Sequence, residues 1–175
     1  NGNTGAGDPL TVTQSRNIAV KPVNEAPTVI KDSRLPAILR NTLDATGDTV
    51  NNLFNETFDD SVDSGSLAGI AIVANGANPI TEGNWQYSLN DGDTWQNVPI
   101  RSLSKANTFT LDTSARLRFQ PTEDYIGKPG QLDIHLIDNR AIVINGELGI
   151  NASRTGDPTP YSETAISLDT YVVVD

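Results

Sequence analysis

The sequence predicts an all-β fold, a β-sandwich with one or two short helices and one long polar loop. Three observations carry that expectation. The informative segments alternate apolar and polar residues with a period of two, which sets one strand face toward a core and the other toward water. Clusters of Gly, Asn, Asp and Pro separate them, as turns between strands require. The apolar runs are strand-sized, as in residues 69–74 and 171–174, and well short of a membrane span.

Taken in order, strands are expected at residues 10–13, 18–20, 69–74, 85–89, 95–100, 108–111, 116–120, 132–137, 141–145 and 165–174. In 116–120, alternation points Leu117 and Phe119 at the core and Arg116, Arg118 and Gln120 at water. Trp85 and Tyr87 share a strand face and are read as core rather than as a sugar-stacking platform. Two stretches break the period. Leu35, Ile38, Leu39 and Leu43 recur at three or four, as do Val50, Leu53, Phe54 and Phe58, so short helices are expected at 36–43 and 49–58. His135 lies in the alternating run 132–137 and is expected at a surface or strand edge.

At 175 residues the length suits one domain with a borrowed flank. Gly-Asp-Pro at 7–9, with the strand-like 16–23 after it, is echoed by Gly-Asp-Pro at 156–158 and 164–171. The head therefore reads as the end of a preceding repeat, unless two β-rich segments resemble each other by chance. Val23-Asn24-Glu25-Ala26-Pro27 then reads as a linker, Pro27 holding its predecessor extended. Residues 1–26 are assigned to preceding repeat and linker, 27–175 to the domain. Without methionine at position 1 or a charged-then-apolar leader, the chain reads as an internal piece of something longer.

Lys and Arg total 12 against 22 Asp and Glu, a formal charge of −10. That balance disfavours nucleic acid and anionic lipid as partners. With no cysteine and one histidine, a resident metal has to be a hard, oxygen-loving one. The lone histidine has no Gly-x-Ser-x-Gly elbow near it, and carboxylate pairs mean little in so acidic a chain, so the expectation is a protein that is not an enzyme.

Calcium takes about six to eight oxygen ligands from carboxylates, amides and carbonyls on loops. Asp59, Asp60 and Asp63 in one turn, and Asn90, Asp91 and Asp93 in another, offer that chemistry; each is also readable as a solvated Asp/Asn/Gly turn, the second more readily because Asn-Asp-Gly is a hairpin signal. The second cluster is no EF-hand, because Gln96 stands where the turn glycine is needed and Ser102 where the bidentate acid is needed. Glu123 and Asp138 are further donors that could converge from other loops.

Val-Asn-Glu-Ala-Pro at 23–27 resembles the junction of the cadherin-like tandem repeats in giant bacterial surface proteins. The order that follows is Phe58-Asp59-Asp60-Ser61-Val62-Asp63, Gly69-Ile70-Ala71-Ile72, the run from Gly83 through Trp85, Asn90 and Asp93 to Trp95, Ala115-Arg116-Leu117-Arg118-Phe119-Gln120-Pro121, and Tyr161-Ser162. Over residues 23–175 this order is similar to the calcium-dependent peptide-binding domain of bacterial RTX adhesins. The resemblance implies a monomeric extracellular module on the bacterial cell surface, holding more than one Ca²⁺ and binding the free C-terminal peptide of a host or partner-cell protein. Where many such repeats carry Trp-Asp, this chain has Ile137-Asp138, so a wall built by that aromatic differs here.

A terminal carboxylate needs a cation, an N–H nest or an Arg fork. The segment 138–162 supplies Asp138, Asn139, Arg140, Arg154, Tyr161 and Ser162, and polar stretches of that length are usually functional or disordered. The expectation is that the carboxylate meets Ca²⁺ or Arg140 while Asn139 and Ser162 grip the peptide backbone. Two alternatives stand beside it: a spacer repeat stiffened by Ca²⁺ at Asn24-Glu25 and the Asp59–Asp63 turn, and a module that binds sugars through Ca²⁺.

Overall fold

The computed structural model describes residues 13–21 and 23–174. In chain order it holds β1 (Thr28–Val29), β2 (Ser33–Arg34), β3 (Ile38–Leu39), β4 (Asp48–Thr49), α1 (Val50–Phe54), β5 (Phe58–Asp59) and β6 (Leu67–Asn75). Then follow β7 (Gly83–Ser88), β8 (Gln96–Asn97), β9 (Thr108–Asp112), β10 (Arg116–Pro121), β11 (Leu132–Asp138), β12 (Glu147–Ile150), β13 (Ile166–Asp169) and β14 (Val172–Val173). A six-stranded sheet, β12-β9-β6-β11-β13-β2, faces a four-stranded one, β4-β10-β7-β8, and two-stranded pairs β1-β5 and β3-β14 close the flanks. This is the all-β, sandwich-like fold that the alternation predicts.

The core is the inward set of both sheets. Trp85, Tyr87, Leu117 and Phe119 come from one, Ile70, Ile72, Phe109, Leu111, Leu132, Ile134, Leu136 and Leu168 from the other. Tyr87 meets Phe109 across the sandwich edge-to-face, with centroids 5.0 Å apart. Trp85 is fully buried, and its indole N–H donates to the Gly130 carbonyl at 2.7 Å.

The local expectations fare unevenly. In 49–58 the helix forms as α1: the Thr49 hydroxyl caps it by accepting from the Asn52 N–H at 3.1 Å, and a 3-10 turn at Asn55–Thr57 ends it. In 36–43 there is no helix. Ile38 and Arg40 donate their N–H groups to Tyr171 and Val173, both at 2.8 Å, so a parallel pairing with β14 claims the backbone, while Leu43 is exposed. Residues 18–20 pair with nothing among the described residues, and the strand expected at 10–13 lies, Thr13 apart, outside them. The strand expected at 95–100 shrinks to β8, since Pro99 has no N–H to donate.

Two corrections concern polar side chains. Arg118 is buried, not solvated: its guanidinium lies 4.1 Å from the Trp95 ring centroid and donates to Gln86 Oε1 and the Ala45 carbonyl. Burial lowers its pKa from the ordinary value. His135 is fully buried in the middle of β11 rather than at an edge, because residues after β11 fold back over the outer face of the six-stranded sheet.

That covering segment explains the last departure. Residues 141–145 form no strand, because side chains take the ladder positions: Asn145 Oδ1 accepts the Asp112 N–H at 2.7 Å, and the Thr110 hydroxyl donates to the Ile144 carbonyl at 2.6 Å. Gly146, at φ +70°, then turns the chain into β12, which pairs with β9.

Candidate functional site

Four stretches distant in sequence converge at one end of the sandwich. They are Asn24–Ala26 of the linker, the turn after β5, the end of β11 and residues 156–163. Asn24 Nδ2 donates to Asp138 Oδ2 at 2.9 Å and to the Thr159 carbonyl at 3.0 Å. The Glu25 N–H donates to Asp63 Oδ2 at 3.2 Å, and the Ala26 N–H to Asp157 Oδ1. The linker is thereby strapped to the body by side-chain oxygens.

In the turn after β5 the three aspartates divide. Asp59 Oδ1 accepts the Ser61 N–H at 3.1 Å and holds the turn itself. Asp60 is buried and faces Asp63 within hydrogen-bonding reach. Asp60 Oδ2 and Asp63 Oδ1 are both shut off from water with no donor, and so is Asn24 Oδ1. Gly65 closes the turn so tightly that a Cβ there would collide with Asp60 Oδ2. Burial first, then the facing Asp63, pushes the Asp60 pKa up to about 6, while the Glu25 N–H and other partners hold Asp63 below the usual carboxylate range. Two facing, buried carboxylate oxygens call for a proton or a cation between them.

Asp138 is fully buried, with Oδ2 on Asn24 and Oδ1 accepting the Arg140 N–H at 2.7 Å. Arg140 turns its guanidinium to Asp63, Nη2 to Oδ2 3.7 Å, and Asn139 is exposed beside it. Arg154 and Tyr161 line a cleft of about 600 Å³ with Asp157, Thr159 and Pro160. A second cleft of about 260 Å³, between Glu25–Val29, Asp59–Val62 and residues 156–164, also includes Asp157.

Other expected residues lie elsewhere in the fold. Asn90, Asp91 and Asp93 form the β7–β8 turn: Asn90 Oδ1 accepts from the Ser88 and Thr94 hydroxyls and the Thr94 N–H, and Asp91, at φ 55°, pairs with Arg116 at 2.8 Å. Glu123 is exposed in the turn before Tyr125. Ser162 is no free gripping hydroxyl. It is fully buried, its Oγ accepting from Leu136 N–H and donating to the Thr164 carbonyl. Among the described residues no three acidic or histidine side chains are drawn into a ready metal cage; the buried trio at the junction is two carboxylates and one amide.

Asp157 is the site residue that sequence reading passed over, although its Gly-Asp-Pro setting stood out as a repeat. The chain matches no protein-family model, no curated protein and no solved structure.

Proposed function

We propose that the chain is a calcium-dependent binding module of an extracellular bacterial adhesin, without catalytic activity, that takes the free C-terminal peptide of a host or partner-cell surface protein. One observation supports this reading above the others: Asp60 Oδ2, Asp63 Oδ1 and Asn24 Oδ1 lack donors in a buried junction whose strap also anchors the wall of the 600 Å³ cleft. These residue types suit a hard cation, and Asp60, Asp63 and Asn24 would hold it. When bound, Ca²⁺ supplies the positive charge that removes the carboxylate repulsion. Arg154 at the cleft and Arg140 beside Asp63 provide the fixed cations to which a terminal carboxylate is drawn.

The Asn24 bridge gives the spacer reading some support as well, since a cation there would stiffen a string of domains. A peptide array with free and amidated C-termini, read with and without chelator, separates the two. Binding that needs both calcium and a free carboxylate is expected. Binding indifferent to amidation would overturn terminal capture, and a calcium-dependent rise in melting temperature with no peptide binding would leave the spacer.

A further inference from the structure

His135 is the chain's only histidine, and the binding reading gives it no role. Its ring lies where the regular ladder between β11 and β13 gives way to the covering segment. That ladder runs from Leu132↔Leu168 to Ile134↔Ile166. Beyond it, residues 160–162 take over the edge of β11. The Asp138 N–H donates to the Pro160 carbonyl at 3.0 Å, the Ser162 N–H to the Leu136 carbonyl at 3.0 Å, and the Leu136 N–H to Ser162 Oγ at 3.0 Å. The imidazole completes this seam, Nδ1 standing 2.7 Å from the Ser162 carbonyl oxygen. A carbonyl only accepts, so Nδ1 carries the proton, and Nε2 is a bare acceptor, buried with no protein donor beside it.

A second proton would have to go on Nε2, sealed from solvent with no acceptor beside it. The surrounding charges give no relief. Lys105, before β9, opposes a positive ring. On its own strand, Asp133 accepts from Gln131 and Ser167, and Asp138 from Asn24 and Arg140. From β13, Asp169 is held by Arg34 and Lys128. β6 and β9 bring Ala71 and Thr110 to this part of the sheet, and Arg154, Asp157 and Glu163 of the covering segment make no hydrogen bond to the ring.

We propose that His135 is an acid release for the covering segment: protonation at Nε2 opens the seam along 160–162 and frees that stretch from the edge of β11. The opening itself does not depend on what the segment binds; its meaning, loss of ligand in acid, rests on the peptide-binding reading. The direction follows from linkage. Burial lowers the pKa of the closed-state ring, so the open state binds the proton more tightly. The seam is fully stable above the ordinary histidine range, near 6.5, and weakens as pH falls below it.

With one histidine, ring NMR resonances follow this group alone in the calcium-saturated full chain. Hydrogen exchange, corrected for intrinsic rate, follows the amides of Leu136, Asp138 and Ser162. Below the ordinary range, protection at these amides is expected to fall about tenfold per pH unit while the inner strands stay protected. His135→Asn keeps an N–H for the Ser162 carbonyl but has no proton to gain, so its protection is expected to stay level. Equal loss in wild type and His135→Asn would overturn the proposal and point to carboxylates such as Asp60, as would a ring that titrates with no change in exchange. If the variant fails to fold, coincidence of the wild-type ring titration with seam opening decides the matter, and a mismatch overturns it. A seam that opens in acid in a protein that binds no terminal peptide at any pH sinks the binding reading and leaves the switch standing.

Discussion

A carboxylate sealed behind Gly65 and facing another carboxylate loses its repulsion in one of two ways, by taking a proton or by taking a cation. Asp60 is in that position, its pKa raised by burial and by Asp63 to about 6. In the unfolded chain the same group titrates near 3.9. Its contribution to metal-free stability is therefore fully present below the unfolded value and is lost as pH rises through about 6. Melting in chelator is expected to fall between pH 5 and 7.5 and to recover with calcium. Asp60→Asn, neutral throughout, is expected to flatten that pH dependence and to melt above wild type in chelator at pH 7.5, yet gain little from calcium. A variant that keeps the full calcium response would remove Asp60 from the ligand set. Sequence made the Asp59–Asp63 cluster conspicuous, but its division of labour was illegible there. Which of the three clustered aspartates caps its own turn and which faces inward depends on Gly65 and on a linker amide that only folding brings near.

At the scale of elements, where the main strands lie was legible, and which of their faces stay wet was not. β6, β7, β9, β10 and β11 form where the sequence places them, but only β7 keeps an in-and-out burial pattern; β6, β9 and β11 are largely buried on both faces. The alternation of β11 still sent His135 to the surface, because period two marks the two faces of a strand and cannot tell which is covered by a later segment. Arg118 fails for a related reason, as Trp95 and the Ala45 carbonyl roof over its place on β10. The covering segment itself is tied down by borrowed hydroxyls: Thr108 Oγ1 donates to the Ile150 carbonyl at 3.0 Å and Thr110 Oγ1 to the Ile144 carbonyl at 2.6 Å. Thr108→Val with Thr110→Val leaves both carbonyls short of a donor, at about 1–3 kcal/mol each. Faster proteolytic nicking within 139–160 is expected, with global melting shifted much less. An unchanged cleavage rate would mean that these bonds do not hold the segment.

For the molecule as a whole, the sandwich was foreseeable from patterning, whereas the way its ends are fastened was not. The linker crosses onto the body through Asn24, Glu25 and Ala26, so a chain beginning at residue 27 lacks every one of those bonds. Such a fragment is expected to fold, since the core begins at Leu35, but to lose most of the calcium-induced rise in melting temperature. A fragment with the full response would show that the linker takes no part in the cation site.

The fastening of the two ends has a mechanical consequence. β2 and β3, near the start of the body, run parallel to β13 and β14 at its finish. A pull applied through the linker and the C-terminal end drags these neighbours lengthwise past each other, so their hydrogen bonds are strained together rather than opened one after another. In single-molecule stretching, force applied between residues 24 and 174 is expected to rupture the domain at a higher peak than force applied between the β7–β8 turn and residue 174, which peels a two-residue strand from its edge. Equal peaks would show that the terminal strands carry no load; a higher axial peak would make the domain hardest to break along the line that joins its two ends.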